Sequence, residues 1–193
     1  MDVWFYRLVR PIVKLFFYIV YRPQVIGKNN VPKKGRIVLA SNHTDYFDCV
    51  AVVATNKRTV HFLAKDELLK GKFGPAFKAM GIIPVNRREK DKTALPAALN
   101  VLEEDKMIGI FPEGTFKKDV KGLLPFKIGA VKMAHDSKSK IIPMAIVGEF
   151  RPFRKGLKII YGTPYKINSD DLDKENDKLK SKIQDLINKG REN

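Results

Sequence analysis

Cysteine and histidine are scarce in this chain: one of the first and three of the second in 193 residues. Cys49 alone cannot form an internal disulfide, which fits a reducing compartment. Its place beside Asp48 reads as a core thiol and not as a nucleophile. No cluster of His, Cys, Asp or Glu has metal-ligand spacing. No G-x-S-x-G elbow is present, which disfavours serine hydrolysis, and no internal repeat is visible. The apolar N-terminus is followed by no small-residue cleavage site, so no cleavable signal peptide is expected. No apolar run reaches the roughly 20 residues that span a bilayer. Acid is the other shortage: 21 Asp+Glu against 37 Lys+Arg gives a net charge of +16. That balance points to an anionic partner: nucleic acid, anionic lipid, an acidic protein or a phosphorylated metabolite. The basic residues are dispersed and form no nucleic-acid motif, so nucleic acid is not expected. A hydrophobic content of 44% excludes a disordered tail, and the length favours one domain with a sizeable core.

What the chain does have begins at Val3. The segment Val3 to Pro23 carries Arg7, Arg10, Lys14, Tyr18 and Tyr21 at helical spacing, a single polar stripe. Phe5, Leu8, Ile12, Leu15, Phe16, Ile19 and Val20 spread over a wide opposite face, and Trp4, Tyr6 and Tyr18 suit a headgroup region. The pattern predicts an amphipathic helix, or a helix pair divided at Pro11, lying in a membrane interface with its cationic side toward lipid phosphates. The competing reading is a helix packed on its own domain. Residues 1–23 are therefore set apart as a membrane-associating segment and 24–193 as the folded domain.

In that domain short apolar strands alternate with helices. Strands are predicted at Gln24–Gly27, Arg36–Ala40, Thr59–Ala64, Gly81–Val85, Met107–Phe111, Ile141–Val147 and Leu157–Tyr161. Helices are predicted at Tyr46–Ala54, at Asp66–Met80 with breaks at Gly71 and Gly74-Pro75, at Lys92–Glu104 and at Phe126–His135. A last helix follows from an N-cap at Ser169, with Leu172, Leu179, Ile183 and Leu186 inward. This order predicts an α/β fold with a largely parallel central sheet flanked by helices. Such sheets place ligands at the carboxyl ends of their strands. His43, Arg87 and Glu113 each follow a predicted strand and so share one rim.

On that rim, "NHTDYFD" holds His43 and Asp48 five residues apart. In a regular helix such residues diverge by about 140°. With His43 on a strand-to-helix turn and Asp48 in the first helical turn, the carboxylate reaches back to the imidazole. Asp48 would then accept the Nδ1–H and leave Nε2 to take a proton from a substrate hydroxyl, as in a Ser-His-Asp triad whose serine is replaced by the substrate. The plainer alternative makes His43 a helix-start residue and Asp48 a first-turn acid. Arg87, in "GIIPVNRR", offers a planar fork for phosphate oxygens. In "FPEGTFKKD", Gly114 lets backbone N–H groups approach an anion or hydroxyl, and Glu113 binds an acceptor hydroxyl or braces the arginine.

Together these segments resemble the glycerolipid (lysophospholipid) acyltransferase family, especially the bacterial 1-acyl-sn-glycerol-3-phosphate acyltransferases. The first motif is matched at Asn42, His43 and Asp48, the second by "GIIPVNR" ending in Arg87, the third by "FPEGT" at 111–115, and the fourth by "IIPMAI" around Pro143. "FLAKDELLK" and "GLLPFKIGAVKMA" extend the likeness, which covers roughly 24–165 in motif order. The resemblance implies direct acyl transfer from acyl-CoA or acyl-acyl carrier protein to the sn-2 hydroxyl of lysophosphatidic acid, giving phosphatidic acid. It makes His43 the base and Asp48 its partner. Arg87 helps bind the acceptor phosphate; Asn42, Glu113, Gly114, Thr115 and Lys117 belong to the substrate site; Pro143 shapes the acyl-donor side. No metal and no redox cofactor are implied, the acyl donor being a co-substrate. The partners implied are anionic membrane lipids, and the place a peripheral or monotopic one on the cytoplasmic face of a bacterial membrane. Phe116 stands where the family often has arginine, with Lys117 and Lys118 following. Backbone N–H groups near the start of the helix after His43 are candidates for holding the oxyanion. Two alternatives stay open: the same chemistry on another lysolipid, and a non-enzymatic basic membrane-binding module.

Overall fold

The computed structural model describes residues 3–72, 74–85, 93–115 and 122–192. Helix α1 (Trp4–Tyr21) is followed by strands β1 (Gln24–Ile26) and β2 (Ile37–Ser41), helix α2 (Asp48–Thr55) and strand β3 (Val60–Lys65). Helices α3 (Asp66–Lys70) and α4 (Gly74–Ala79), strand β4 (Ile83–Val85), helix α5 (Ala94–Glu103) and strand β5 (Met107–Ile110) come next. Helix α6 (Gly129–Asp136), strands β6 (Lys140–Val147), β7 (Lys158–Tyr161) and β8 (Tyr165–Lys166), and helix α7 (Leu172–Glu192) complete the chain. The sheet runs β1-β7-β6-β2-β5-β3-β4, with β8 on β6. Among the described residues only β6–β7 and β6–β8 are antiparallel. This is the largely parallel α/β architecture that the alternation of elements predicts.

β2 sits at the centre, and both of its faces are buried. Side chains alternate across a strand, so its residues divide between two cores. Ile37 and Leu39 join Met107, Ile142 and Met144 under α1 and α2. Val38 and Ala40 join Ile108, Ile141 and the helices α5, α6 and α7. Each fully buried Ile or Leu contributes about 1.5–3 kcal/mol. The continuous apolar run of β2 is what a strand covered on both faces requires.

α1 runs through Pro11 as one helix, so the predicted division into a pair does not occur. It ends at Tyr21, where Arg22 turns left-handed and Pro23 forbids continuation. Tyr6, Phe17 and Tyr21 are buried in the core beneath α2. The polar stripe is therefore not presented as a whole to the outside: Tyr21 is inside, and the Arg10 guanidinium donates to the carbonyls of Asn56 and, at 3.0 Å, Lys57 at the end of α2. Arg7 and Lys14 stay exposed. The opposite side is an apolar ridge of Trp4, Leu8, Ile12, Leu15, Phe16 and Ile19, each more than half exposed. Among the described residues no helix is long and apolar enough to cross a membrane.

α7 begins at Leu172, later than a cap at Ser169 would place it. Asp171 Oδ1 accepts the Lys174 N–H at 3.0 Å and is the cap, while Ser169 Oγ accepts the Asp171 N–H at 3.1 Å. Leu179, Ile183 and Ile187 form the buried line of the helix.

Candidate active site

The site begins where β2 stops. Asn42 is buried, and its side chain continues the ladder that the backbone leaves: Nδ2 donates to the Ile146 carbonyl at 2.9 Å and Oδ1 accepts the Ile146 N–H at 2.8 Å. This two-bond clamp onto β6 fixes the next residue, His43. Both polar ends of the Asn42 side chain are thereby held by β6, and the residue also lines the cleft above His43.

The chain then turns before α2 starts at Asp48. The Asp48 carboxylate is fully buried inside that turn. Oδ2 accepts the backbone N–H of Thr44 at 2.5 Å and of Asp45 at 2.8 Å, and Oδ1 accepts the Thr44 hydroxyl at 3.0 Å. Nδ1 of His43 lies 2.8 Å from Oδ2. An ionised carboxylate only accepts, so the network assigns the proton to Nδ1 and the basic lone pair to Nε2. The five-residue spacing is thus a property of a turn, not of a helix. It also uses the N–H groups of Thr44 and Asp45, and Phe47 N–H donates to Asp45 Oδ1 at 3.1 Å. These backbone donors are committed to carboxylates and do not form an oxyanion hole.

The His43 ring stacks on Phe111 at 4.2 Å and 16°. Phe111 in turn lies nearly parallel to Phe62, with centroids 6.2 Å apart. From below, Glu113 accepts the His43 backbone N–H through Oε1 and the Leu124 N–H through Oε2, both at 2.8 Å. Glu113 is 7% exposed and braces two segments of backbone. Gly114 adopts φ +70°, and a Cβ there would lie 2.9 Å from Cε of Lys127, which passes over the turn. Thr115 is exposed at the end of this turn. Arg87, Phe116 and Lys117 lie outside the described residues.

Pro143 is buried in the middle of β6, beside Ala40 of β2 and against Gly162. The part of β6 that reaches the site is its end. A cleft of about 190 Å³ opens over His43, Thr44 and Glu113, bounded by residues 122–124, by Ile146, Val147 and Gly148, and by Gln184, Ile187 and Arg191 of α7. The wall from α7, the stack on Phe111 and the brace to Leu124 were not legible in the motifs. α7 reads only as an amphipathic helix, and "GLLPFKIGA" gives no sign that a backbone N–H there meets Glu113. Cys49 is no competing nucleophile: burial, with Asp48 next to it, pushes its thiol up to about 12.

Comparison with known proteins gives the same frame. The Acyltransferase family model matches residues 22–147. The 1-acyl-sn-glycerol-3-phosphate acyltransferase of Bacillus subtilis is 32% identical over 148 residues, which are 73% of this chain and 72% of that protein. The protein of the same name from Borreliella burgdorferi is 33% identical over 136 residues, 69% of this chain but only 54% of that protein. The crystal structure of the 1-acyl-sn-glycerophosphate (LPA) acyltransferase PlsC from Thermotoga maritima superimposes with a TM-score of 0.70 over 94% of this chain and 80% of that chain. At 22% identity that is a likeness of fold.

Proposed function

Because the chain belongs to the acyltransferase family, we propose that it transfers a fatty acyl group from a thioester donor to the sn-2 hydroxyl of 1-acyl-sn-glycerol-3-phosphate, forming phosphatidic acid. The observation that carries this reading is the His43–Asp48 pair, 2.8 Å apart, with His43 lining the cleft where β2 ends. Nε2 takes the hydroxyl proton as the oxygen attacks the thioester carbonyl. The tetrahedral intermediate collapses with loss of the thiolate, which recovers the proton from the imidazolium. Asp48 holds the ring and offsets the charge as it forms. The acyl group passes directly to the acceptor, with acyl-CoA or acyl-acyl carrier protein as co-substrate and no resident cofactor required.

Acceptor recognition, in this reading, falls to Arg87 and Lys117, with the Glu113–Gly114–Thr115 turn shaping the pocket. Lys127, lying over Gly114, adds a cation to that turn. The apolar ridge of α1, flanked by Arg7 and Lys14, supports peripheral or monotopic seating on anionic lipid at the cytoplasmic face of a membrane. Each cation near such a surface adds about 1 kcal/mol.

The test is turnover by purified protein and its His43→Ala variant in anionic-lipid micelles, with lysophosphatidic acid and either donor. Wild type should form phosphatidic acid, and the variant should be slower by about 10²–10⁴-fold. Equal rates would remove His43 as the base. No product with lysophosphatidic acid but product with another lysolipid would change the acceptor. Retained lipid binding without any turnover would leave a membrane-binding module.

A further inference from the structure

The family match ends at Val147, yet one wall of the cleft comes from α7, far beyond it. Arg191 brings a full positive charge to that wall. It lies in the last turn of α7, is exposed, and its guanidinium forms no ion pair or hydrogen bond among the described residues. Its position is built. Gly190, the residue before it, is buried, and a Cβ there would come within 2.9 Å of both Val147 and Ile160. A side chain here would have to displace Val147 and Ile160, so glycine lets the helix lie close on β6 and β7, and Arg191 lines the same cleft as Val147 and Gly148. A helix C-terminus would ordinarily repel an anion. Here Lys158 Nζ donates to the Gly190 carbonyl at 2.8 Å and offsets that field.

We propose that Arg191 binds the 4′-phosphate of the acyl donor's phosphopantetheine arm, and that the donor approaches His43 along the β6–α7 side of the cleft. The proposal rests on the acyl-transfer reading above. The choice between the two phosphate-bearing substrates follows from their lengths. In lysophosphatidic acid a single C–C–O link separates the reacting hydroxyl from phosphorus, so its cation must stand beside the imidazole. In the donor the whole pantetheine arm separates thioester from phosphate, so its cation belongs at the mouth. Arg191 is exposed in the last turn of α7, and on this side the cleft it shares with His43 is lined by Ile146, Val147, Gly148 and Ile187 and by the uncharged amide of Gln184. That lining suits a thin, largely uncharged arm. CoA and the carrier protein share this phosphate, so both are expected to use Arg191.

Steady-state kinetics of wild type, Arg191→Gln and Arg191→Lys with acyl-CoA, acyl-carrier protein and phosphate-free acyl-pantetheine provide the test. Arg191→Gln should raise KM for acyl-CoA and for acyl-carrier protein roughly ten- to a hundredfold. KM for lysophosphatidic acid and kcat at saturating donor should stay unchanged, and Arg191→Lys should recover part of the loss. With acyl-pantetheine, wild type and Arg191→Gln should be equal, a readout that a purely structural role would not produce. A rise in KM for lysophosphatidic acid would give the residue to the acceptor and overturn the proposal. So would an effect confined to acyl-CoA, or none. Calorimetric binding of free CoA separates the two levels of failure. A wild type without turnover would sink the acyl-transfer reading, whereas equal CoA affinity in wild type and Arg191→Gln would overturn the role of Arg191 whatever the turnover.

Discussion

Glu113 faces two backbone N–H groups, those of His43 and Leu124, one on each carboxylate oxygen. An amide in its place would turn an NH₂ against one of them. Glu113→Gln should therefore destabilise the fold by about 1–3 kcal/mol, the cost of a buried donor left without an acceptor. Thermal melts would register this as a lower Tm. Because the glutamate holds the base through its backbone, kcat should fall while KM for the acceptor changes little. A large rise in acceptor KM with unchanged Tm would mean instead that Glu113 meets the substrate directly. The same residue shows where motif reading stops. An acid followed by glycine after a strand looked like a ligand-binding turn, because sequence does not reveal that Leu124, eleven residues on, returns to share it. His43 and Asp48 were legible for the opposite reason: their contact is local, closed within one turn.

At the scale of elements, β1 to β7 were legible because each is a short, mostly apolar run, and the central ones are covered on both faces; the two-residue β8, Tyr165–Lys166, has no such run and was not. Helix starts were less so, since capping depends on which nearby oxygen reaches the free N–H groups, and at α7 Asp171 does so rather than Ser169. α1 is the element whose faces carry different tasks. Its inner line joins the core and its outer ridge is more than half exposed. Replacing Ile12 and Ile19 together by aspartate should change the free energy of unfolding by no more than about 0.5 kcal/mol for each exposed site, yet greatly reduce sedimentation with anionic vesicles. Unchanged vesicle binding would remove the ridge as the lipid contact. Reversing Arg7 and Lys14 should weaken binding to anionic vesicles and not to neutral ones.

The whole molecule carries a net charge of +16, but its stability against pH is set partly by one buried imidazole. His61 is 1% exposed on β3, and its Nδ1–H donates to the Gly81 carbonyl at 2.9 Å. Burial lowers its pKa, against the hydrogen bond to Gly81. The unfolded chain, titrating near ~6.5, therefore takes up the proton first. Stability is full above that range and falls as the pH drops through it. Urea midpoints at pH 7.5 and 5.5 should differ more in wild type than in His61→Gln; equal differences would remove His61 from the account.

The aromatic packing behind α2 has a mechanical consequence. Phe47, which immediately precedes Asp48, lies 5.7 Å from Tyr21 of α1 and 6.0 Å from Phe150, ring to ring, and Phe150 is 5.6 Å from Tyr21. The ridge of α1 adjoins this triangle, the Phe16 ring meeting Tyr21 edge-on at 6.5 Å. The height of the imidazole above any surface on which that ridge rests is therefore fixed by three rings in contact and not by a tether. On the proposed membrane seating such a molecule would work as a depth gauge: a hydroxyl held too far into the lipid or too far out of it would miss His43, whatever its chemistry.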